Sequence, residues 1–377
     1  MKVEEAAAAH RGPGETSEIQ GEKWSISLPR TRIHTLEQLV EYFEIDTSEW
    51  EVERFVANKW EVAASHKGVL KVEPLFQVKA HLKKRQDVID ARRELEDLKA
   101  QFKKSAPALK AVKKPAVTTG NMLEINIPDA HFGKMAWGVE TGGPNYDTKL
   151  ADEIFAEAFE ALLQRTASLR YDEILFVVGN DIMQSDNPEG QTYQGTAVSC
   201  DGRYHKTFRT VRSRIIDCIE RLRTLTKKVK VVMVQGNHDK LSVWHLGDSL
   251  ECYFHKCSDV EVDNSPRYRK YHRFGQVMLM FTHGDKGRAA NLPLLMATEQ
   301  REMFGATKYR EIHTGHRHAV KLNEQCGIRV RILPALCPAD AWHAENGLVG
   351  NIRSAEAYMW NRDEGMIGMA VFNAREQ

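Results

Sequence analysis

Five short polar clusters carry the residues of this chain whose types and spacing could do chemistry. In chain order they are Asp129-Ala130-His131, Gly179-Asn180-Asp181, Gly236-Asn237-His238-Asp239, His283-Gly284-Asp285 and Gly315-His316-Arg317-His318. Carboxylate and imidazole ligands together suit Mn, Fe or Zn, whereas oxygen ligands alone would suit Mg or Ca. Two such ions about 3.5–4 Å apart can clamp a phosphoryl group and generate a bridging hydroxide for in-line attack. The clusters therefore predict a dinuclear metal site that acts on phosphate esters.

Each cluster follows a run of apolar residues, so its polar side chains could either form local hydrogen bonds at a strand end or bind a metal. A single polar residue at a strand end more often satisfies a local hydrogen bond than binds a metal. Five clusters in this order are poorly explained in that way. The glycines before Asn180, Asn237 and His316 allow sharp backbone turns, so the side chains after each strand can point into one cleft.

The elements that must position the clusters alternate between strand-like and helix-like patterns. Strands are predicted at 122–127, 174–178, 229–234, 277–282, 311–314, 329–333 and 366–372, and helices at 149–169, 206–225 and 244–255. The alternation predicts a layered α/β domain over residues 119–377, in which functional groups gather at the strand ends.

The ordered clusters resemble those of the calcineurin-like metallophosphoesterase superfamily, over residues 122–373. They look closest to phage-type members near the DNA-repair exonucleases. The resemblance implies a four-layered α/β/β/α sandwich and two divalent metal ions, with Mn favoured and Fe, Zn, Mg or Ni as alternatives. The implied ligands are Asp129, His131, Asp181 and His318 for the first ion, and Asp181, Asn237, His283 and His316 for the second.

The resemblance also implies that His238 binds neither ion. It would lie near the scissile phosphate and stabilise charge or protonate the leaving oxygen, with Asp239 as its orienting partner. The chain departs from the family at one cluster. The family usually has Asp directly after Gly, whereas here Asn180 follows Gly179 and the acid, Asp181, comes one position later. An amide bridges two cations poorly, so Asp181 is expected to be the bridging residue.

Some polar residues around the clusters are candidates for substrate contact. They are Asn180, Asp186, Asn187 and Arg317, although Asp186 and Asn187 could equally be ordinary turn residues. The stretch 183–204 lacks periodicity and reads either as an active-site lid or as a surface insertion. Trp342 with His343 could stack on a base, but a core position is the more common use of such a tryptophan.

The first third of the chain is predicted to be separate from the catalytic domain. Residues 1–30 read as a disordered leader and residues 31–82 as a small helical domain, either a helix-turn-helix or a plain helical bundle. Residues 83–118 read as a basic helix and linker. From 79 to 114 there are twelve basic and five acidic side chains, a net charge of +7, which indicates either a nucleic-acid contact or a solvated helix face.

Composition limits the setting more than the function. Of 377 residues 42% are apolar and the net charge is +1, and no apolar run approaches the roughly 18 residues that a membrane crossing needs. Six cysteines without a CxxC pair argue against a zinc ribbon or a disulfide framework and favour a reducing, cytoplasmic setting. A homodimer or higher homo-oligomer is left open.

Three functions are consistent with these residues. The first is a metal-dependent phosphodiesterase that acts on DNA, a nuclease. The second is a phosphatase or nucleotide phosphodiesterase with a small substrate. The third is a DNA-binding assembly factor whose metal site is structural, which a full ligand set and a metal-free His238 make the weakest of the three.

Overall fold

The computed structural model describes residues 15–31, 33–66, 69–86, 90 and 118–375. The chain divides into two compact units, Met1–Lys104 and Ser105–Gln377. Among the described residues, no helix combines the length and the apolarity that a bilayer crossing requires.

The first unit is an antiparallel sheet with one short helix. Its elements are β1 (Thr16–Gln20), β2 (Lys23–Thr31), α1 (Leu36–Tyr42), β3 (Trp50–His66) and β4 (Val69–Lys84), and the strand order is β1-β2-β4-β3. Thr35 and Gln38 form a capping box at the start of α1. Leu39 of this helix packs with Trp24 and Trp50 of the sheet in a buried core.

The prediction of a mostly helical domain with a helix-turn-helix over residues 31–82 is therefore wrong. Val52, Phe55 and Val56 belong to types that favour strands, and β3 pairs with β4 along nearly its whole length. The leader prediction is also wrong from Thr16 onward, because β1 and β2 occupy that stretch. Residues 1–14 and most of the basic helix and linker lie outside the described residues.

The second unit contains the five polar clusters and consists of two sheets with helices. Its elements are β5 (Asn121–Asn126), α2 (Gly138–Thr141), α3 (Thr148–Thr166), β6 (Tyr171–Gly179), α4 (Tyr204–Arg223), β7 (Thr226–Val234), α5 (Lys240–Tyr253), β8 (Val260–Asp263), β9 (Lys270–Phe274), β10 (Val277–Phe281), α6 (Leu292–Glu299), α7 (Arg301–Gly305), β11 (Tyr309–Thr314), β12 (Lys321–Gln325), β13 (Ile328–Ile332), α8 (Ala341–Glu345), β14 (Ser354–Asn361) and β15 (Gly365–Asn373). The sheet orders are β15-β14-β5-β6-β7-β8 and β12-β13-β11-β10-β9. All the strands and helices predicted between residues 122 and 372 are present.

The alternation of side chains along the strands produces four layers. On β6, Leu175 and Val177 pack against the second sheet, whereas Ile174 and Phe176 pack against α3, α4 and α5. On β10 the odd-numbered residues face the first sheet, and Met278 and Met280 face α6. The order of layers is thus α/β/β/α, which confirms the predicted sandwich.

A buried ion network lies between the two sheets. His313 Nδ1 is 2.7 Å from Glu124 Oε1, and His313 Nε2 is 3.2 Å from Glu311 Oε1. The Arg331 guanidinium donates to the same Glu311 oxygen at 2.7 Å. Burial lowers the pKa of His313, but the Glu124 and Glu311 carboxylates outweigh burial and raise it to about 9. His313 is therefore charged in the folded protein at neutral pH.

The strand directions explain where the clusters meet. β5, β6 and β7 are parallel neighbours in the first sheet, as are β10, β11 and β13 in the second. The carboxyl ends of parallel neighbours lie at one edge of a sheet. Each of the five clusters follows one of these strands, so the clusters of each sheet share an edge.

Candidate metal centre

The structure brings the predicted ligands of both sheets together. Asp129, His131 and Asp181 form one group whose ligand atoms lie within 4.8 Å of one another, and Asp181, His283 and His316 form a second group by the same measure. Asp181 belongs to both, which is the position expected of a bridging carboxylate. His318 Nε2 lies 3.3 Å from Asp129 Oδ1, and Asn237 Oδ1 lies 2.8 Å from His283 Nε2.

The backbone at these clusters is held in a conformation that is costly for residues other than glycine. Six cluster residues have left-handed φ angles, from 46° to 70°: Asp129, His131, Asn180, Asp181, His316 and His318. Elsewhere in the described residues, only Glu44 and Cys326 among non-glycines do so. Such residues cost about 1–3 kcal/mol each and accumulate at functional sites. Strain of this kind marks the clusters independently of their residue types.

Two glycines leave the space that the acidic side chains occupy. A Cβ at Gly236 would lie 1.9 Å from Asp181 Oδ1, and a Cβ at Gly315 would lie 2.5 Å from Asp129 Oδ2. Neither position has a left-handed φ angle, so their role is close approach rather than turning. The two carboxylates are thereby fixed against the backbone of a neighbouring cluster.

The first group presents unpaired ligand atoms to the site. Asp129 Oδ1 and His131 Nε2 are buried and have no hydrogen-bond partner. His131 Nδ1 donates to Gln184 Oε1 at 2.8 Å, which leaves the lone pair on Nε2. Burial, opposed by the Asp129 carboxylate and reinforced by His238, lowers the pKa of His131 to about 3. A neutral imidazole next to a carboxylate, each with one buried atom that has no hydrogen-bond partner, is a donor pair suited to a cation.

The second group also combines an imidazole held by an amide oxygen with an ionised carboxylate. His283 Nδ1 donates to Asn180 Oδ1 at 2.7 Å, and His283 Nε2 points to Asp181 Oδ2 at 3.0 Å. Burial would raise the pKa of Asp181, but His283 outweighs burial and holds that pKa below its ordinary value. An ionised carboxylate, an amide oxygen and two imidazoles fit a divalent ion. Both positions therefore fit the two ions that the sequence predicts.

His238 lies beside the metal ligands but is oriented differently from the prediction. Its Nδ1 donates to the backbone oxygen of Gln184 at 2.8 Å, and its ring packs edge-on against His131 at 4.7 Å between centroids. Asp239 does not orient it, so that prediction is wrong. The Asp239 carboxylate instead accepts the backbone amides of Met183 and Gly236 at 3.0 and 3.1 Å, which fastens two clusters together.

Three of the four predicted substrate contacts are used within the fold. Asp186 accepts the amides of Leu241 and Ser242 at 2.9 and 2.6 Å and so anchors the start of α5. Asn187 closes a turn with Gln191, and Asn180 is bound to a metal-site histidine. These contacts match the alternative interpretation of Asp186 and Asn187 as ordinary structural residues. Arg317 remains exposed on the wall of the cleft.

The metal centre opens into a cleft of about 910 Å³. Thr192, Gln194 and residues 196–199 form part of its wall, so the irregular stretch after β6 borders the site. Trp342 is 60% exposed and also borders the cleft, so the expectation of a core position is wrong. The neighbouring His343 ring stacks on His318 at 5.6 Å.

Sequence reasoning missed several residues that complete the site. Gln184 holds His131 through its side chain and His238 through its backbone. Lys134 and Cys337 are buried beside the first group. Burial raises the pKa of the Cys337 thiol, but Lys134 and His318 outweigh burial and lower it. The only signal in the sequence was the position of Cys337 shortly after the predicted strand at 329–333.

No family model matches the chain, and no curated protein sequence matches it. Solved structures that resemble it include an archaeal phosphodiesterase, with 9% identity, 67% of this chain and 99% of that chain covered, and a TM-score of 0.32. Vps29 of Entamoeba histolytica, complexed with Zn, is 14% identical, the match covers 67% of this chain and 98% of that chain, and the TM-score is 0.26. A predicted phosphoesterase of Streptococcus pneumoniae is 12% identical, the match covers 68% of this chain and 100% of that chain, and the TM-score is 0.25.

Proposed function

We propose that this chain is a calcineurin-like phosphoesterase with two metal ions that hydrolyses phosphodiester bonds in DNA. The observation that carries the proposal is the convergence of Asp129, His131, Asp181, His283 and His316 with one acid common to both groups. Asn237 and His318 complete the two ligand sets. These residues would hold two divalent ions, which would supply a hydroxide nucleophile and neutralise charge on the phosphoryl oxygens.

The side chains of the cleft have defined parts in the reaction. Because the Nδ1 proton of His238 is held by the Gln184 carbonyl, its Nε2 is the atom that meets the substrate. A protonated Nε2 donates to the leaving oxygen as the phosphorus–oxygen bond breaks. Arg317, on the cleft wall, provides a positive charge for a neighbouring phosphate.

A basic face on α4 favours a polymeric substrate over a small phosphate ester. Arg203, Lys206 and Arg209 recur about once per helical turn and line a second cleft of about 710 Å³. All three are exposed, and within the described part of the chain none of them forms an ion pair with a carboxylate. Arg214 in the same cleft is neutralised by Asp152 at 2.7 Å. A row of unneutralised cations suits a phosphate backbone.

The basic face begins where the wall of the metal cleft ends. Ser199 lines the metal cleft and Arg203 lines the basic cleft, four residues further along the chain. Across the metal cleft, Trp342 offers an exposed ring on which a base could stack, an interaction worth about 1–3 kcal/mol per base. A single-stranded nucleic acid could contact the cations through its phosphates and the aromatic ring through a base.

The test is hydrolysis of labelled single- and double-stranded DNA by the full chain, with Mn, Mg or Zn. His238→Ala should lower turnover by about 10²–10⁴-fold while the metal content stays unchanged. His245→Ala, which changes an exposed histidine on α5, should leave turnover unaltered.

Absence of cleavage with all three metals, or cleavage undiminished in His238→Ala, would refute the proposal. Hydrolysis of nucleotides or phosphate monoesters without cleavage of DNA would instead establish a phosphoesterase with small substrates. Either result is read directly from the products.

A further inference from the structure

Cys337 lies against the first metal position. Its Sγ and the ligand atoms of His131 and His318 all lie within 4.8 Å of one another. The thiol is also one of the side chains that line the metal cleft. This group shares His131 with the group of Asp129 and Asp181, and it adds a sulfur donor to a set of nitrogens and oxygens.

The backbone fixes the thiol at this place. The Cys337 amide donates to the carbonyl of Asp129 at 3.3 Å, which ties the loop after β13 to the first cluster. At the start of the same loop, the Leu333 amide donates to the Thr314 carbonyl at 2.7 Å. Because β13 and β11 are parallel neighbours, this loop leaves its sheet at the same edge as the histidines. Cys337 therefore follows a strand at the same edge as the five polar clusters do.

A buried lysine provides the charge that a thiolate would require. Lys134 is 1% exposed, and its Nζ lies 3.7 Å from Cys337 Sγ and 3.2 Å from Asp340 Oδ2. A buried ammonium is costly unless it is paired. Asp340 also accepts from His343 Nδ1 at 2.6 Å, so its charge is shared between two partners. A thiolate would give Lys134 a second negative neighbour.

One nitrogen of the group also lacks a partner. His131 Nε2 is buried without a hydrogen bond, and its Nδ1 is held by Gln184. The lone pair on Nε2 therefore faces the space that Cys337 and His318 share. An unsatisfied imidazole nitrogen opposite a thiol is the arrangement of a metal site that includes sulfur.

We propose that the Cys337 thiolate is an additional ligand of the first ion, beside His131 and His318, and that it makes this position select Zn or Fe over Mn. Soft thiolates favour Zn and Fe, whereas carboxylate and carbonyl oxygens suit Mn. The second position, built from Asp181, Asn237, His283 and His316, has no sulfur donor among its proposed ligands. The inference rests on the proposed two-metal centre and makes its two positions unequal.

The experiment is to load the full metal-free chain with Co(II) and record the near-ultraviolet and visible spectrum. A thiolate bound to Co(II) gives a charge-transfer band that nitrogen and oxygen ligands do not give. The wild type should show this band, and Cys337→Ser and Cys337→Ala should lose it. Cys218→Ser, which changes a cysteine buried to the same 3% on α4, should retain the band.

Competition between Zn and Mn gives an independent readout. Metal analysis after dialysis against both ions should show that Cys337→Ser lowers the Zn-over-Mn preference of one site by about 10–100-fold, the range found when a metal site loses a supporting interaction. Cys218→Ser should keep the wild-type ratio. Neither measurement depends on DNA cleavage.

The outcomes separate this inference from the proposed function. A wild type that binds two Co(II) ions without the band, or a Cys337→Ser protein that keeps the band, would overturn the role of Cys337 and leave the two-metal centre standing. A wild type that binds no Co(II), Zn or Mn would overturn both. If the serine variant does not fold, the wild-type spectrum alone decides.

Discussion

Gly236 stands so close to Asp181 that one added methyl group should disable the proposed metal centre. In Gly236→Ala the new Cβ would lie 1.9 Å from Asp181 Oδ1 and 2.6 Å from the Asp181 amide nitrogen. Ordinary contacts between heavy atoms lie near about 3.5 Å, so the carboxylate would have to retreat by about 1.5 Å. Metal–ligand distances tolerate only about 0.2 Å. The bridging position cannot survive that displacement.

The expected loss is specific to the site. Overpacking costs about 1–3 kcal/mol, which is smaller than the roughly 5–15 kcal/mol that stabilises a folded protein. Gly236→Ala should therefore fold but bind fewer than two ions. Misplacing a reacting group by about 1 Å can cost about 100-fold in rate, so turnover should fall by at least that factor.

The assay compares bound metal per chain, hydrolysis of bis(p-nitrophenyl) phosphate and the unfolding midpoint in the same preparations. Gly305→Ala is the matched control, because Gly305 ends α7 and an added Cβ there meets nothing within 4 Å. A Gly236→Ala protein with two bound ions and the wild-type rate would show that Asp181 does not bridge them, and the reasoning would fail.

Three further predictions concern residues outside the ligand set. Gln184→Ala removes the acceptor that orients a metal-site histidine and should weaken metal binding by about 10–100-fold in calorimetric titration. Lys206→Gln and Arg209→Gln should each flatten the dependence of DNA affinity on salt by about 0.7–0.9 in log–log slope, measured by fluorescence anisotropy. His313, with its pKa raised from 6.5 to about 9, stabilises the fold fully below pH 6.5. This stabilisation, on the order of 3 kcal/mol, should be lost as pH rises through 9, and urea unfolding should show that decline.

Each of these has a result that contradicts it. Unchanged metal affinity in Gln184→Ala would mean that His131 keeps its orientation without help. Salt slopes equal to that of the wild type would place the DNA elsewhere than on α4. For the ion network, the control is His313→Gln, which should remove the decline between pH 6.5 and 9. A wild-type stability that is flat over that interval would show that the pKa is not raised.

Local pattern was sufficient to predict the elements of the second unit and misleading for the first unit. Strands such as β6 and β10 are short apolar runs that end in glycine or polar residues, and this signal lies within each segment. In the first unit, the capping box of Thr35 and Gln38 is a local signal for one helix. The pairing that converts the next stretch into β3 depends on β4, which the local pattern of β3 does not contain.

The sequence by itself determined which residues could bind metal and that they would follow strands, because residue type and hydrophobic alternation are local properties. Only the tertiary structure decided that Asp181 belongs to both groups, that Asn180 and Gln184 orient histidines, and that Cys337 and Lys134 lie beside the first position. These relations are distances of a few ångströms between loops from different strands. Sheet order and register set such distances, and both arise from packing across the whole unit.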